Sequence, residues 1–237
     1  YKIMVCISEN SREKELQYID LLYSHRVLGI VVCSHIGETM EHLDSNCPLI
    51  SFEREIAENI PAVLCDNYQG GILAANRLFD AGCRNIAIFN QPTKENIPAY
   101  SREKAFMKCC EDKKISGRVV YTDRLAPLSE EFGNNILELL KKNSDLDGIF
   151  ATSDVMAANI IRACKKMGKR VPEDISIVGF DDTWISTLTY PSITTIHQPV
   201  QEMCEYAIEA IVKKVKSEKV PSQVVFPVEL IDRESTK

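Results

Sequence analysis

Residues 148–182 read GIFATSDVMAANIIRACKKMGKRVPEDISIVGFDD, and this stretch decides the fold. It opens on a short apolar run, 148–151, bounded by polar residues and too short for a helix. Ser153 stands where a helix N-cap belongs, with a hydroxyl able to accept a first-turn N–H. A helix over 153–167 follows and is closed by Gly168, a residue that tolerates the left-handed conformation at a helix end. A second apolar run, 175–180, then leads into Asp181 and Asp182. Strand, helix and strand in so short a space make a unit that joins parallel strands.

The same alternation extends in both directions. Strands are predicted at 2–7, 28–33, 49–52, 62–65, 85–89, 119–122, 193–196, 224–226 and 228–231. Helices are predicted at 13–25, 37–43, 67–81, 101–112, 129–142 and 199–216. The helix at 67–81 is the best marked: Asp66 can cap it, Gln69 stands three residues on, and Gly82 ends it. The helix at 199–216 carries Pro199 at its first turn, where a missing N–H costs nothing. Val200, Met203, Cys204, Ala207, Ile208, Ile211 and Val215 form its apolar stripe. Alternating strands and helices, with strands apolar on both faces, indicate an α/β protein with doubly wound parallel sheets. The polar segment 90–99, with Pro92 and Pro98 and no periodicity, is read as a crossover between two lobes. The expected division is 1–90 with 199–221, and 91–198 with 222–237.

Composition narrows the function. The chain has 237 residues, 45% of them hydrophobic and 26% charged, the balance of an ordinary soluble globular protein. No apolar run approaches the ~20 residues needed to span a membrane. With a net charge of −6 and dispersed Lys and Arg, the chain lacks the basic stripe on which phosphate affinity depends. Nine scattered cysteines without C-x-x-C spacing fit a reducing cytoplasmic setting and offer no structural zinc site. The four histidines are dispersed, so no metal is expected, and no motif calls for a cofactor.

Enzyme motifs are missing. There is no G-x-S-x-G elbow, Walker loop, G-x-G-x-x-G or H-E-x-x-H. Asp181-Asp182 after a strand admits an aspartyl nucleophile or a helix cap, but an aspartyl-phosphate chemistry would need a metal and further polar groups. Topology offers more. In open α/β sheets ligands sit beyond the carboxyl ends of the strands. Cys33-Ser34, Ser153-Asp154 and Asp181-Asp182 stand just past predicted strands, while Arg102 and Gln198 flank predicted crossovers. Carboxylate, guanidinium, amide and hydroxyl groups beside the aromatic Phe150 and Trp184 suit a polyol, whose hydroxyls need paired donors and acceptors and whose C–H face needs an apolar plate.

Several stretches, in order, resemble one family. They are HRVLGIVV (25–32), DNYQGGILAANRLFDAGCRNIAIF (66–89), SREKAF (101–106), the opening stretch with its VPEDISIVGFDD, and PSITTIHQP (191–199). Together they resemble the effector domain of lactose- and galactose-repressor family regulators, which has the type I periplasmic-binding-protein-like fold. The resemblance covers essentially the whole chain. It implies two lobes with a small sugar-like effector in a cleft between them, no catalysis, cytoplasmic localisation and lobe closure on the ligand as the signal. By position it makes Arg102 and Asp181 the main hydroxyl-binding charges, with Asp154, Phe150, Gln69 and Gln198 in or beside the pocket. Ser153 stands where the family often has asparagine, and Ala105 where it usually has glycine. The resemblance also implies a homodimer through the helix at 153–167 and the segment 185–190, where Ile185, Leu188 and Tyr190 form an apolar cluster. It implies, further, a strand and helix before Tyr1, and a DNA-binding headpiece before those through which alone operator DNA would be bound. An extracytoplasmic sugar receptor for transport shares the fold and stands as the alternative.

Overall fold

The computed structural model describes residues 2–9, 11–33, 47–92 and 97–237. The helix expected at 37–43, and Ser34 with it, lies outside the described residues. The chain divides into two compact units, residues 1–65 with 200–226, and residues 66–199 with 227–237.

The first unit is built on a four-stranded parallel sheet in the order β1-β2-β3-β9. Its strands are β1 (Ile30–Val32), β2 (Leu49–Phe52), β3 (Ala62–Cys65) and β9 (Gln223–Phe226). Helix α1 (Arg12–Ser24) starts at Ser11, whose hydroxyl accepts the Lys14 N–H. Helix α7 (Val200–Val215) buries Met203, Ala207, Ala210 and Ile211 and packs against β1, β2 and β3, whereas Val200, Cys204, Ile208 and Val215 of the expected stripe are exposed. It approaches so closely that a Cβ on Gly29 would overlap the Ile211 side chain.

Residues 2–8 are not a strand, contrary to the sequence reading. Among the described residues no strand pairs with them, and Ile3, Val5 and Ile7 are exposed. Apolar content raises the propensity for a strand, but only a hydrogen-bonded neighbour makes one.

The second unit carries a six-stranded sheet in the order β10-β8-β7-β6-β4-β5. Its strands are β4 (Asn85–Asn90), β5 (Ser116–Tyr121), β6 (Gly148–Ala151), β7 (Ser176–Asp181), β8 (Thr194–His197) and β10 (Glu229–Ile231). Five run parallel, and β10 closes one edge antiparallel to β8. Helices α2 (Asn67–Asp80) and α3 (Tyr100–Lys113) pack against each other and against strands of this sheet. Helices α4 (Glu130–Lys142) and α5 (Asp154–Lys166) supply Phe132, Ile136, Leu140, Ala157 and Ile160 to a core with Phe89, Ile149 and Ile177. A five-residue helix, α6 (Trp184–Leu188), follows β7.

Two details of the division differ from the sequence reading. The first boundary falls at Cys65–Asp66, so α2 and β4 belong to the second unit. Strand β4 lies between β5 and β6 in that unit's sheet, and the stretch after it leads from a strand to helix α3. Loops beyond strand carboxyl ends are polar in any such unit, so composition could not separate a loop from a crossover. The last boundary falls at Phe226–Pro227, because β9 pairs with β3.

Candidate functional site

The carboxyl ends of the parallel strands in the second unit form one edge, reached by Asn90 on β4, Tyr121 on β5, Thr152 just past β6, Asp181 on β7 and Gln198 just past β8. Arg102, in the first turn of α3, is buried. Its guanidinium lies 3.4 Å from the centre of the Phe180 ring, Nε donates to Asn67 Oδ1, and Nη1 donates to the Thr152 carbonyl at 3.2 Å. A flat cation on an aromatic face is held in one orientation. Beside it the Asn90 amide donates to Glu103 Oε2 at 3.1 Å, Thr152 Oγ1 donates to Asn90 Oδ1 at 3.2 Å, and the Tyr121 hydroxyl donates to Glu103 Oε1 at 2.7 Å. That bond to the Glu103 carboxylate, with burial, pushes the Tyr121 hydroxyl up to about 12, so it stays a donor.

Farther along the edge, Gln198 Nε2 donates to Asp181 Oδ1 at 2.8 Å. Asp181 and Asp182 have φ values of 105° and 57°. Non-glycine residues there carry strain of about 1–3 kcal/mol each, held only when the surroundings over-determine them. Asp182 accepts from Arg233 Nη2 at 2.6 Å and Ser186 Oγ at 3.2 Å, and faces His197 Nδ1 at 3.0 Å. Burial alone would raise its carboxyl, but these partners outweigh burial and hold it below the ordinary carboxylate value.

Arg102, Asp181 and Gln198 thus share one edge. Asp154 has a different place. It is fully buried, with Oδ1 accepting from Thr195 Oγ1 at 2.6 Å and Oδ2 accepting from the Thr183 N–H at 2.6 Å and Thr183 Oγ1 at 3.1 Å. Burial pushes its carboxyl up. It ties α5 to β8 and to the turn after β7, which is a framework task rather than a ligand contact. Phe150 is likewise wholly buried, with its ring centre 5.8 Å from Phe106 and 6.4 Å from Phe180. It is a core residue because it stands one position inside the strand end. Ser153 caps α5, its Oγ accepting the Met156 N–H at 3.2 Å. Gln69 is exposed in the first turn of α2, where its N–H donates to Asp66 Oδ1 at 2.8 Å. Trp184 is exposed on α6, and Cys33 is exposed just past β1 in the first unit. Asp182 is no helix cap: the N-cap of α6 is Thr183. The sequence reading missed Asn67, Asn90, Glu103, Tyr121 and Thr152. Their signal was place alone, each at a strand's carboxyl end or in a helix's first turn. Among the described residues no three His, Cys, Asp or Glu side chains converge as a metal centre would, and no helix is long and apolar enough to cross a membrane.

The model of the periplasmic binding protein-like domain family matches residues 75–236. The ribose operon repressor of Halalkalibacterium halodurans is 31% identical over 238 residues, covering 100% of this chain and 71% of that protein. The chain belongs to the lactose-repressor (LacI) family. The sucrose operon repressor of Lactococcus lactis subsp. lactis is a further relative, 29% identical over 97% of this family member and 70% of its own length. Among solved structures, a periplasmic binding protein/LacI transcriptional regulator from Alkaliphilus metalliredigens, complexed with D-xylulofuranose, superposes with a TM-score of 0.87. It is 32% identical and is matched over 100% of this chain and 88% of its own. The doubly wound parallel sheets expected from the sequence are those of this family.

Proposed function

We propose that this chain is the effector-sensing part of a transcriptional repressor, and that a small neutral sugar lies over the carboxyl edge of the second unit's sheet. One observation carries the reading: an oriented cation, Arg102, and a carboxylate–amide pair, Asp181 and Gln198, stand on that edge in a member of a repressor family. Charged groups make the stronger hydrogen bonds to hydroxyls. The relative crystallised with a furanose sugar supports a sugar over other polar ligands. The domain catalyses nothing and needs no metal or cofactor. It works in the cytoplasm, and its effector controls the binding of operator DNA. Relatives that are operon repressors favour this over a transport receptor.

Calorimetric titration with D-xylulose, D-ribose, sucrose and cellobiose tests the reading. Removing the Asp181 carboxylate in Asp181→Ala should cost about 1.5–3 kcal/mol of binding, roughly a 10- to 150-fold loss of affinity. Unchanged affinity would remove Asp181 from the site.

The protein acts as a homodimer. Leu188 and Tyr190 expose 74% and 92% of their surface, with Ile185 half-buried beside them, an apolar patch of the kind that marks interfaces. Sedimentation at micromolar concentration should give a dimer, and Leu188→Glu with Tyr190→Asp a monomer. A monomeric wild type would refute this.

A further inference from the structure

We propose that Arg233 and Asp182 are positioning residues that hold Asp181 and Gln198 together in their binding geometry; the inference rests on the sugar-binding reading above. The two members of the binding pair come from different strands, Asp181 from the end of β7 and Gln198 from just past β8. Each is followed or preceded by a member of one cluster. Asp182 comes next after Asp181, and His197 comes just before Gln198.

The Asp182 carboxylate joins the two, since Oδ2 faces His197 Nδ1 at 3.0 Å while Oδ1 accepts from Arg233 Nη2 at 2.6 Å. Arg233 is itself fixed. Its Nη1 donates to the Ile193 carbonyl at 2.9 Å, its backbone N–H donates to Thr194 Oγ1 at 2.9 Å, and that hydroxyl donates to the Arg233 carbonyl at 3.1 Å. The segment holding it is sewn to the sheet, because Ser235 donates its N–H to the Ser192 carbonyl and its Oγ to the Ile177 carbonyl. A guanidinium held by the Ile193 carbonyl, on a backbone pinned to Thr194, sets the carboxylate, and the carboxylate sets the left-handed turn at 181–182 on one side and His197 on the other. The strained φ values need such over-determination. Arg233 touches neither Asp181 nor Gln198 through any of these bonds, so it acts on the pair through Asp182.

The test uses the whole chain with Arg233→Met, Arg233→Lys and the remote control Arg118→Met. Arg118 makes a comparable set of bonds, to Asn85, Asn143 and Asp145, at the opposite edge of the sheet. Two readouts are taken: the side-chain amide resonances of Gln198 without ligand, and the affinity for whichever of D-xylulose, D-ribose, sucrose and cellobiose binds the wild type. Arg233→Met should move the Gln198 resonances to the position of an exposed glutamine and weaken binding about tenfold or more. Arg233→Lys should restore much of both. Arg118→Met should lower the melting temperature and leave both readouts in place. Unmoved Gln198 resonances in Arg233→Met, or an equal loss of affinity in Arg118→Met, overturns the proposal. If none of the four sugars binds the wild type, the sugar reading is what fails, and the Gln198 resonances alone decide for or against the clamp.

Discussion

Phe150→Ala should destabilise the protein by about 3–5 kcal/mol, the range for deleting a large buried aromatic. The ring has no exposed surface and packs with Phe106 and Phe180, so truncation leaves a cavity bounded by two other rings. Phe180 is the plate on which the Arg102 guanidinium lies, and it will relax into any space made beside it. For a protein of this size the loss corresponds to a fall in melting temperature of roughly 6–20 °C. Calorimetric unfolding measures it directly. The result separates two roles: a ligand-lining phenylalanine would give a small change in stability and a large change in affinity. A fall of under about 2 °C would contradict the core assignment.

Gly71→Ala should also destabilise, and here two effects compete. Alanine in a helix interior is favoured over glycine by about 1 kcal/mol. Against that, a Cβ on Gly71 would overlap the Arg102 carbonyl oxygen and stand 3.0 Å from the Ala105 Cβ. Neither is the free end of a flexible side chain, so α2 and α3 must separate. Overpacking of this kind costs about 1–3 kcal/mol, and contact with backbone places the cost at the upper end. The clash wins, by a net of about 1–2 kcal/mol. Arg102 rides on α3 and Asn67 on α2, so separation also pulls apart the Nε bond that orients the guanidinium. Sugar affinity should therefore fall along with the melting temperature. An unchanged or higher melting temperature would show that the helices have room to spare.

Local signals in the sequence translated directly into structure. Asp66 and Ser153 cap α2 and α5 through the hydrogen bonds their side-chain types allow, and Gly82 and Gly168 take φ values of 88° and 71° at the helix ends. What was not legible depended on long-range pairing. Strand β4 reads the same whichever sheet it joins, and its neighbours β5 and β6 decide its unit. The same holds for β9, whose partner β3 lies far back in the chain. Depth along a strand was the other hidden variable. Phe150 and Thr152 are two residues apart, yet the first is core and the second supplies its carbonyl to Arg102, because only positions at or beyond a strand's last residue reach the edge. Asp154 failed as a ligand candidate for a related reason. It opens a helix, but three donors from β8 and the 183 turn already converge on its carboxylate.

The most direct test of the central claim is a thermal-shift titration of the wild-type chain with the four sugars, with adenine and leucine as non-sugar controls. A ligand bound only by the folded state adds about 2.7 kcal/mol at a hundred times its dissociation constant, a rise of roughly 5–11 °C. A saturable rise with at least one sugar, abolished or much reduced in Arg102→Ala, is the expected result. A rise with adenine or leucine and with none of the sugars would contradict the account.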